Sequence, residues 1–300
     1  MTTVLGLDMG GSRTRARLVR NHEIQTDALG AGTNITAVGP AEVRRRVAAV
    51  LNDLGNPRVD ACCAGAAGTE HAPARGEVER LLGELLPGAR VRVVHDSRLV
   101  LAAANLVSGV ALIAGTGSVA YGRNQTGAEV RAGGWGWLLG DDGGGAWLVR
   151  EAVRVVLRRA DDGTRDGPLG AALMAAAGVS DSVALAAELH GRREPQQWAA
   201  LAAAVFSAAP EDPGAQAIIE RGADCLADMA VRLVGRLGEP GPVVLAGGLL
   251  LHQPLLERAV RARLSAQGLT AIRLEDEPVV GAVRLAGRLL TAATAPETTP

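Results

Sequence analysis

Val4-Leu5-Gly6-Leu7-Asp8-Met9-Gly10-Gly11-Ser12-Arg13-Thr14-Arg15-Ala16-Arg17-Leu18-Val19 decides the fold of this chain. Val4 to Asp8 is a short apolar run of strand type, and Met9-Gly10-Gly11-Ser12 is a turn. Arg13 to Val19 then alternates polar and apolar residues, the period of a half-buried strand. A dinucleotide-binding glycine loop opens a helix, whereas this one opens a second strand, so the turn speaks against a Rossmann fold.

The same pattern restarts after Ser108. Val110 to Ala114 is a strand, Gly115-Thr116-Gly117-Ser118 a turn, and Val119 to Arg123 another strand. Two strand–turn–strand units, each opening a run of α/β pattern, indicate a duplicated architecture. Between them the periodicity predicts a helix over 41–54, a strand over 59–64 and a helix over 77–86. A strand follows over 91–95 and a helix over 97–106, capped by Asp96 or Ser97. From Ala146 to Leu237 the chain is alanine-rich and helical, broken at Pro168 and at Pro210-Glu211-Asp212-Pro213-Gly214. Val243 to Ala246 is a buried strand, 254–264 a helix, 272–274 a short strand and 281–290 a helix. Residues 293–300 read as a disordered tail.

Composition removes several chemistries. The 300 residues are 48% hydrophobic, enough for two domains with real cores. A net charge of −1 gives no electrostatic case for nucleic acid or an anionic membrane as partner. There is no lysine, so all 31 basic residues are arginine. That excludes Schiff-base chemistry and the P-loop lysine. Cys62, Cys63 and Cys225 form no disulfide framework, and core packing is the expectation for all three. The five histidines show no metal-ligand spacing, and His95 is expected to point away from Asp96. Leu99 to Gly122 carries no formal charge, but its period changes midway from helix to strand, so it reads as buried core. The N-terminus has no basic segment followed by an apolar one, and the expected location is the cytoplasm.

Phosphate must therefore be held by backbone N–H groups, hydroxyls, arginine or a metal. Gly10-Gly11-Ser12-Arg13-Thr14 and Gly115-Thr116-Gly117 are the two candidate loops, each following a buried strand. Gly247-Gly248, at a strand end before a helix, suits either a third loop against adenosine or a plain turn. Asp8 ends the first strand, where its carboxylate suits either Mg²⁺ or a turn cap. Asp96 ends another buried strand, placed either to accept the proton of an attacking hydroxyl or to cap a helix. The run Gly133-Gly134-Trp135-Gly136-Trp137-Leu138-Leu139-Gly140-Asp141-Asp142-Gly143-Gly144-Gly145-Ala146-Trp147 holds three of the four tryptophans. Indole packs on the C–H face of a polar ring and Asp accepts bonds from hydroxyls, so Trp135, Asp141 and Asp142 suit the binding of a polar ring. Trp147 reads as core.

These segments together resemble the N-acetylglucosamine kinase branch of the BadF/BadG-type ATPase family, within the sugar kinase/Hsp70/actin superfamily. The resemblance rests on Leu7 to Thr14, Ala114 to Ser118, Gly133 to Gly136 with Leu139-Gly140-Asp141, Val244 to Gly248 and Glu277 to Ala282. It implies two ribonuclease-H-like lobes: 1–108 joined by a C-terminal helix of about 278–292, and 109–277. It further implies ATP and Mg²⁺ in a cleft between them, Asp96 as base, and the sugar at Asn34, Asp96, Gly134, Trp135 and Asp141. A homodimer is common among relatives. Kinases of this branch usually read Gly-Asp-Glu-Gly-Ser where this chain has Gly140-Asp141-Asp142-Gly143-Gly144. Trp137 stands where histidine is common, so the acceptor is left open between an N-acetylated and a free amino sugar. Other members of the wider family activate a dehydratase through an iron–sulfur cluster, which requires accessible thiolates. A sugar sensor without catalysis is a third reading; no DNA-binding segment precedes Val4.

Overall fold

Ten strands among the described residues form two five-stranded sheets with one plan. In the computed structural model those residues are 1–238 and 241–291; the expected tail at 293–300 lies outside them. The first sheet contains β1 (Thr3–Met9), β2 (Arg13–Arg20), β3 (Glu23–Ala31), β4 (Ala61–Ala66) and β5 (Arg90–His95), ordered β3-β2-β1-β4-β5. The second contains β6 (Gly109–Ala114), β7 (Ser118–Arg123), β8 (Glu129–Gly133), β9 (Val243–Ala246) and β10 (Ala271–Arg273), ordered β10-β9-β6-β7-β8. In each, three antiparallel strands come first and two strands then add in parallel on the far side of the first. The repeated strand–turn–strand signature thus marks a repeated sheet, the ribonuclease-H-like plan.

The chain divides into two units. Unit 1 is Met1–Val107 with the segment from Leu274 onward; unit 2 is Ser108–Arg273. In unit 1 the helix Pro278–Thr291 lies against the sheet and the helix Asp96–Ala103. Its Ala282, Leu285 and Ala286 close a core with Val4, Val19, Cys63, Val94 and Leu99. Two glycines permit the approach. A Cβ on Gly6 would lie 2.7 Å from the Val283 amide nitrogen, and one on Gly281 2.1 Å from the Leu99 carbonyl. Arg284 then donates to the carbonyls of Ala102 and Ala103 at the C-terminal end of that helix, where the last carbonyls lack helical partners.

In unit 2 the predicted break at 210–214 starts the helix Pro213–Leu237. Asp212 caps it, accepting from the amides of Gly214 and Ala215, with Pro213 at the first helical position. The same buried carboxylate takes both terminal nitrogens of Arg159 at 2.8 Å and the Leu169 amide at 3.0 Å.

The uncharged stretch from 99 to 122 resolves into the end of a helix followed by β6 and β7, so it is core. Among the described residues no single helix is long and apolar enough to cross a membrane. β3 and β8 have no counterpart in the sequence reading. Both are edge strands; most residues of β3 are exposed and none of β8 is buried, so neither carries an alternating apolar pattern. The helix after β5 is capped by His95, one residue before the two expected positions, because Asp96 already takes the first helical place.

Candidate active site

Unit 1 assembles its polar groups at one end of β1, β4 and β5. Asp8 stands one residue from the end of β1, and the turn Gly10–Ser12 follows. The turn is tied from both sides: the Gly10 amide donates to the Arg13 carbonyl at 3.0 Å, and the Gly10 carbonyl accepts from the Thr33 amide at 2.9 Å. Gly32 presses on it so closely that a Cβ there would lie 2.0 Å from the Gly11 carbonyl oxygen. Arg46 holds Gly32 in turn through its carbonyl. The arginine run 44–46 thus contributes one side chain to the turn's support.

Thr14 is fully buried, its hydroxyl 2.9 Å from the Ala31 carbonyl and 2.7 Å from the Thr33 hydroxyl. It stiffens the turn from within and has no hydroxyl turned to solvent, while Gly11, Ser12 and Arg13 are exposed. Asn34 caps the short helix Ile35–Val38: its Oδ1 accepts from the Thr36 amide at 3.0 Å and the Thr36 hydroxyl at 2.7 Å. The amide group of Asn34 is thereby fixed, and its nitrogen is the half left to donate elsewhere.

Asp96 opens its helix with Oδ1 accepting from the Ser97 amide at 2.7 Å and the Ser97 hydroxyl at 3.2 Å. His95 does not point away, as alternation along a strand predicts. Still extended as the last residue of β5, it caps the helix by accepting from the Ser97 amide at 3.3 Å; its Nδ1 lies 3.1 Å from Asp96 Oδ1 and its Nε2 3.6 Å from Glu70 Oε1. Burial first, and then the negative charge of Asp96, push the Asp8 carboxyl up to about 6; Arg13 and Arg15 pull the other way. Two carboxylates thus feel one another where strands end in a glycine turn.

Unit 2 places its second turn on a helix start. The amides of Gly145 and Ala146, at the head of the helix Gly145–Asp161, donate to the carbonyls of Gly115 and Thr116 at 2.9 and 3.0 Å. Two neighbouring glycines approach this turn too closely to carry a side chain. A Cβ on Gly247 would lie 2.3 Å from the Ala114 carbonyl oxygen, and one on Gly144 2.6 Å from the Gly117 carbonyl carbon. Gly144 is thus a spacing requirement of the turn beneath it. The tryptophan loop leaves β8 beside this turn, with the Gly134 amide donating to the Ser118 carbonyl at 2.9 Å.

Trp135 is 68% exposed, and the Arg131 guanidinium stacks 4.9 Å from its ring. Leu138 and Leu139 are 72% and 87% exposed. Trp137 packs on Trp198 with ring centroids 5.9 Å apart, and Trp147, 8% exposed, is core as expected. Trp135, Leu139, Asp141, Asp142, Cys225 and Met229 share the lining of one pocket.

The profile of the BadF/BadG/BcrA/BcrD ATPase family matches residues 5–286. The chain belongs to that family. It is 30% identical over 169 residues to the N-acetylmuramic acid/N-acetylglucosamine kinase of Clostridium acetobutylicum, a match spanning 54% of this chain and 55% of that protein. It is 25% identical over 311 aligned positions to the N-acetyl-D-glucosamine kinase of Dictyostelium discoideum, covering 94% and 97% of the two chains. Among solved structures, a candidate N-acetylglucosamine kinase from Chromobacterium violaceum superposes with a TM-score of 0.75 at 27% identity, over 95% of this chain and 99% of that one.

Within this BadF/BadG/BcrA/BcrD member the donor set fits a magnesium nucleotide. Mg²⁺ takes oxygen ligands, typically one or two carboxylates plus substrate phosphates. Asp8, a carboxylate whose ionised form is disfavoured by burial and by a neighbouring carboxylate, gains most from such a cation. The thiols fit a metal poorly: burial raises Cys62 strongly and pushes Cys63 up to about 12. Sequence reasoning missed Gly32, Thr33, Arg46 and Glu70, all of which brace the unit 1 groups through tertiary contact. Only Gly32 and Thr33 left a local trace, as neighbours of Asn34.

Proposed function

We propose that the chain transfers the γ-phosphoryl group of ATP to an amino sugar of the N-acetylglucosamine or glucosamine type, at its 6-hydroxyl. The observation that carries this reading is the pair Asp8 and Asp96 at the strand ends of unit 1, electrostatically coupled beside the Gly10–Ser12 turn. The names of the relatives support the same class. Phosphoryl transfer needs positioning and charge neutralisation more than covalent chemistry from the protein. Asp96 accepts the proton of the attacking hydroxyl, its carboxylate oriented by the Ser97 amide and hydroxyl.

Gly10 to Arg13, with Thr14 as the strut behind them, and Gly115 to Gly117 present backbone to the phosphates. Gly247-Gly248 faces adenosine. Asp8 would hold Mg²⁺, which when bound neutralises phosphate charge. Asn34, Asp96, Gly134, Trp135 and Asp141 hold the sugar, with the exposed Trp135 indole against its C–H face. The cytoplasm is the location and a homodimer the assembly we propose.

ADP release tests the reading. The purified protein is assayed with N-acetylglucosamine, glucosamine, N-acetylmannosamine, glucose and muramic-type sugars, with and without Mg²⁺. Mg²⁺-dependent ADP release with an amino sugar is the expected result, and none with any of the five overturns the proposal. The dehydratase-activator alternative gains nothing from the buried, high-pKa thiols of Cys62 and Cys63.

A further inference from the structure

Within unit 2 the tryptophan loop and the Gly115–Gly117 turn are interlocked. The Ser118 hydroxyl donates to the Asp142 carbonyl at 2.7 Å, and the Gly134 amide to the Ser118 carbonyl at 2.9 Å. Asp141 sits at the centre of this lock. Its carboxylate lies against the turn so closely that a Cβ on Gly117 would be 2.1 Å from Oδ2. Its carbonyl accepts from the Gly144 amide at 3.0 Å, the residue that in turn abuts Gly117. Its φ of 58° is left-handed, one of few such non-glycine positions in the chain. Its Oδ1 is buried with no hydrogen-bond partner among the described residues. Burial raises the carboxyl's pKa, while the amides of Gly136 and Ser118 partly offset the rise. A left-handed residue with an unused buried acceptor persists only where its surroundings hold it in place.

We propose that Asp141 is a positioning residue that keys the acceptor loop to the nucleotide turn, so that sugar and nucleotide raise each other's affinity through residues 115–146. This rests on the function proposed above. The carboxylate has two faces with two duties: Oδ2 fills the space above Gly117, and Oδ1 awaits a donor. A ligand hydroxyl reaching Oδ1 fixes the carboxylate, and the fixed carboxylate fixes the turn. Whichever ligand arrives first therefore removes part of the ordering cost for the other, and linkage makes the effect equal in both directions.

Calorimetry on the full chain tests this with the magnesium complex of adenylyl imidodiphosphate, a non-transferring ATP analogue, and the sugar that gives ADP release. In the wild type each ligand should tighten the other's binding by the same factor, on the order of ten-fold. Asp141→Gly keeps the left-handed backbone but removes the key, so it should weaken nucleotide binding measured without sugar. Asp141→Asn, isosteric and also tolerant of that backbone, should restore part of it. Gly117→Ala, on the nucleotide turn, should weaken sugar binding measured without nucleotide. Each substitution is thus read on the ligand that its own segment does not hold. A coupling factor of one in the wild type overturns the proposal, as do Asp141 variants whose nucleotide affinity is unchanged. If Gly117→Ala fails to fold, the Asp141 variants carry the test alone. A wild type that binds no sugar overturns the functional reading itself, whereas sugar binding without cross-effects overturns only the coupling.

Discussion

Asp8 is ionised at neutral pH in a place that disfavours the charge. Its carboxyl titrates near 6 instead of 3.8, so between those values the folded chain binds a proton that the unfolded chain has lost. Stability from this group is therefore full below pH 3.8 and falls as pH rises through 6, by up to about 3 kcal/mol. Asp8→Asn removes the charge without removing the bulk. In Mg²⁺-free buffer it should raise the melting temperature at pH 8 and leave it unchanged near pH 4, while phosphoryl transfer is lost. Melting curves at the two pH values check the sign, and a lower melting temperature at pH 8 refutes it. Asp96→Asn keeps an oxygen for the Ser97 amide, so the helix start should survive. If Asp96 is the base, kcat should fall about 10²- to 10⁴-fold with the melting temperature nearly unchanged. Retained ADP release would remove the assignment.

At the scale of elements, a side chain's partner often decides more than its exposure. Asp212 begins the Pro213–Leu237 helix and also neutralises Arg159, which holds its carboxyl far below the usual carboxylate range. Asp212→Ala would leave Arg159 facing a buried, empty acceptor site and should cost about 3–5 kcal/mol, read by urea or thermal denaturation. A loss under 1 kcal/mol would mean that the pair adds little. Because its folded pKa is depressed, the contribution is present above the ordinary Asp value and is lost as pH falls below it. The break at Pro210 to Gly214 was legible because proline and Asp have fixed places at helix starts. So were β1, β2, β6 and β7, whose apolar period is written in consecutive residues. The polar edge strands β3 and β8 were not, since pairing with a neighbour defines them. Candidate site residues near glycines were legible as types. The reason for Gly144 and the packing of Asp141 on Gly117 were not, because each depends on a residue distant in sequence; the His95 cap is local, but alternation along the strand assigned its ring to the other face.

For the molecule as a whole, the two sheets share a topology but not a continuity. Unit 2 is one uninterrupted segment, Ser108–Arg273, with its own large core. Unit 1 needs the helix Pro278–Thr291 to cover Val4, Val19, Cys63 and Val94. A fragment of residues 108–273 should therefore melt cooperatively by circular dichroism, and a fragment of residues 1–107 should not. A cooperative transition in the shorter fragment would show that the C-terminal helix is dispensable for unit 1.

That discontinuity reverses the order of completion on the ribosome. Residues 1–107 emerge first, yet their sheet has one apolar face uncovered until synthesis has passed residue 291. At ordinary elongation rates the wait lasts roughly 10–40 s, far longer than local helix or hairpin formation. During that interval unit 2 is made whole, so the half translated second is the first able to finish folding. The nascent first half is the part that calls for a chaperone.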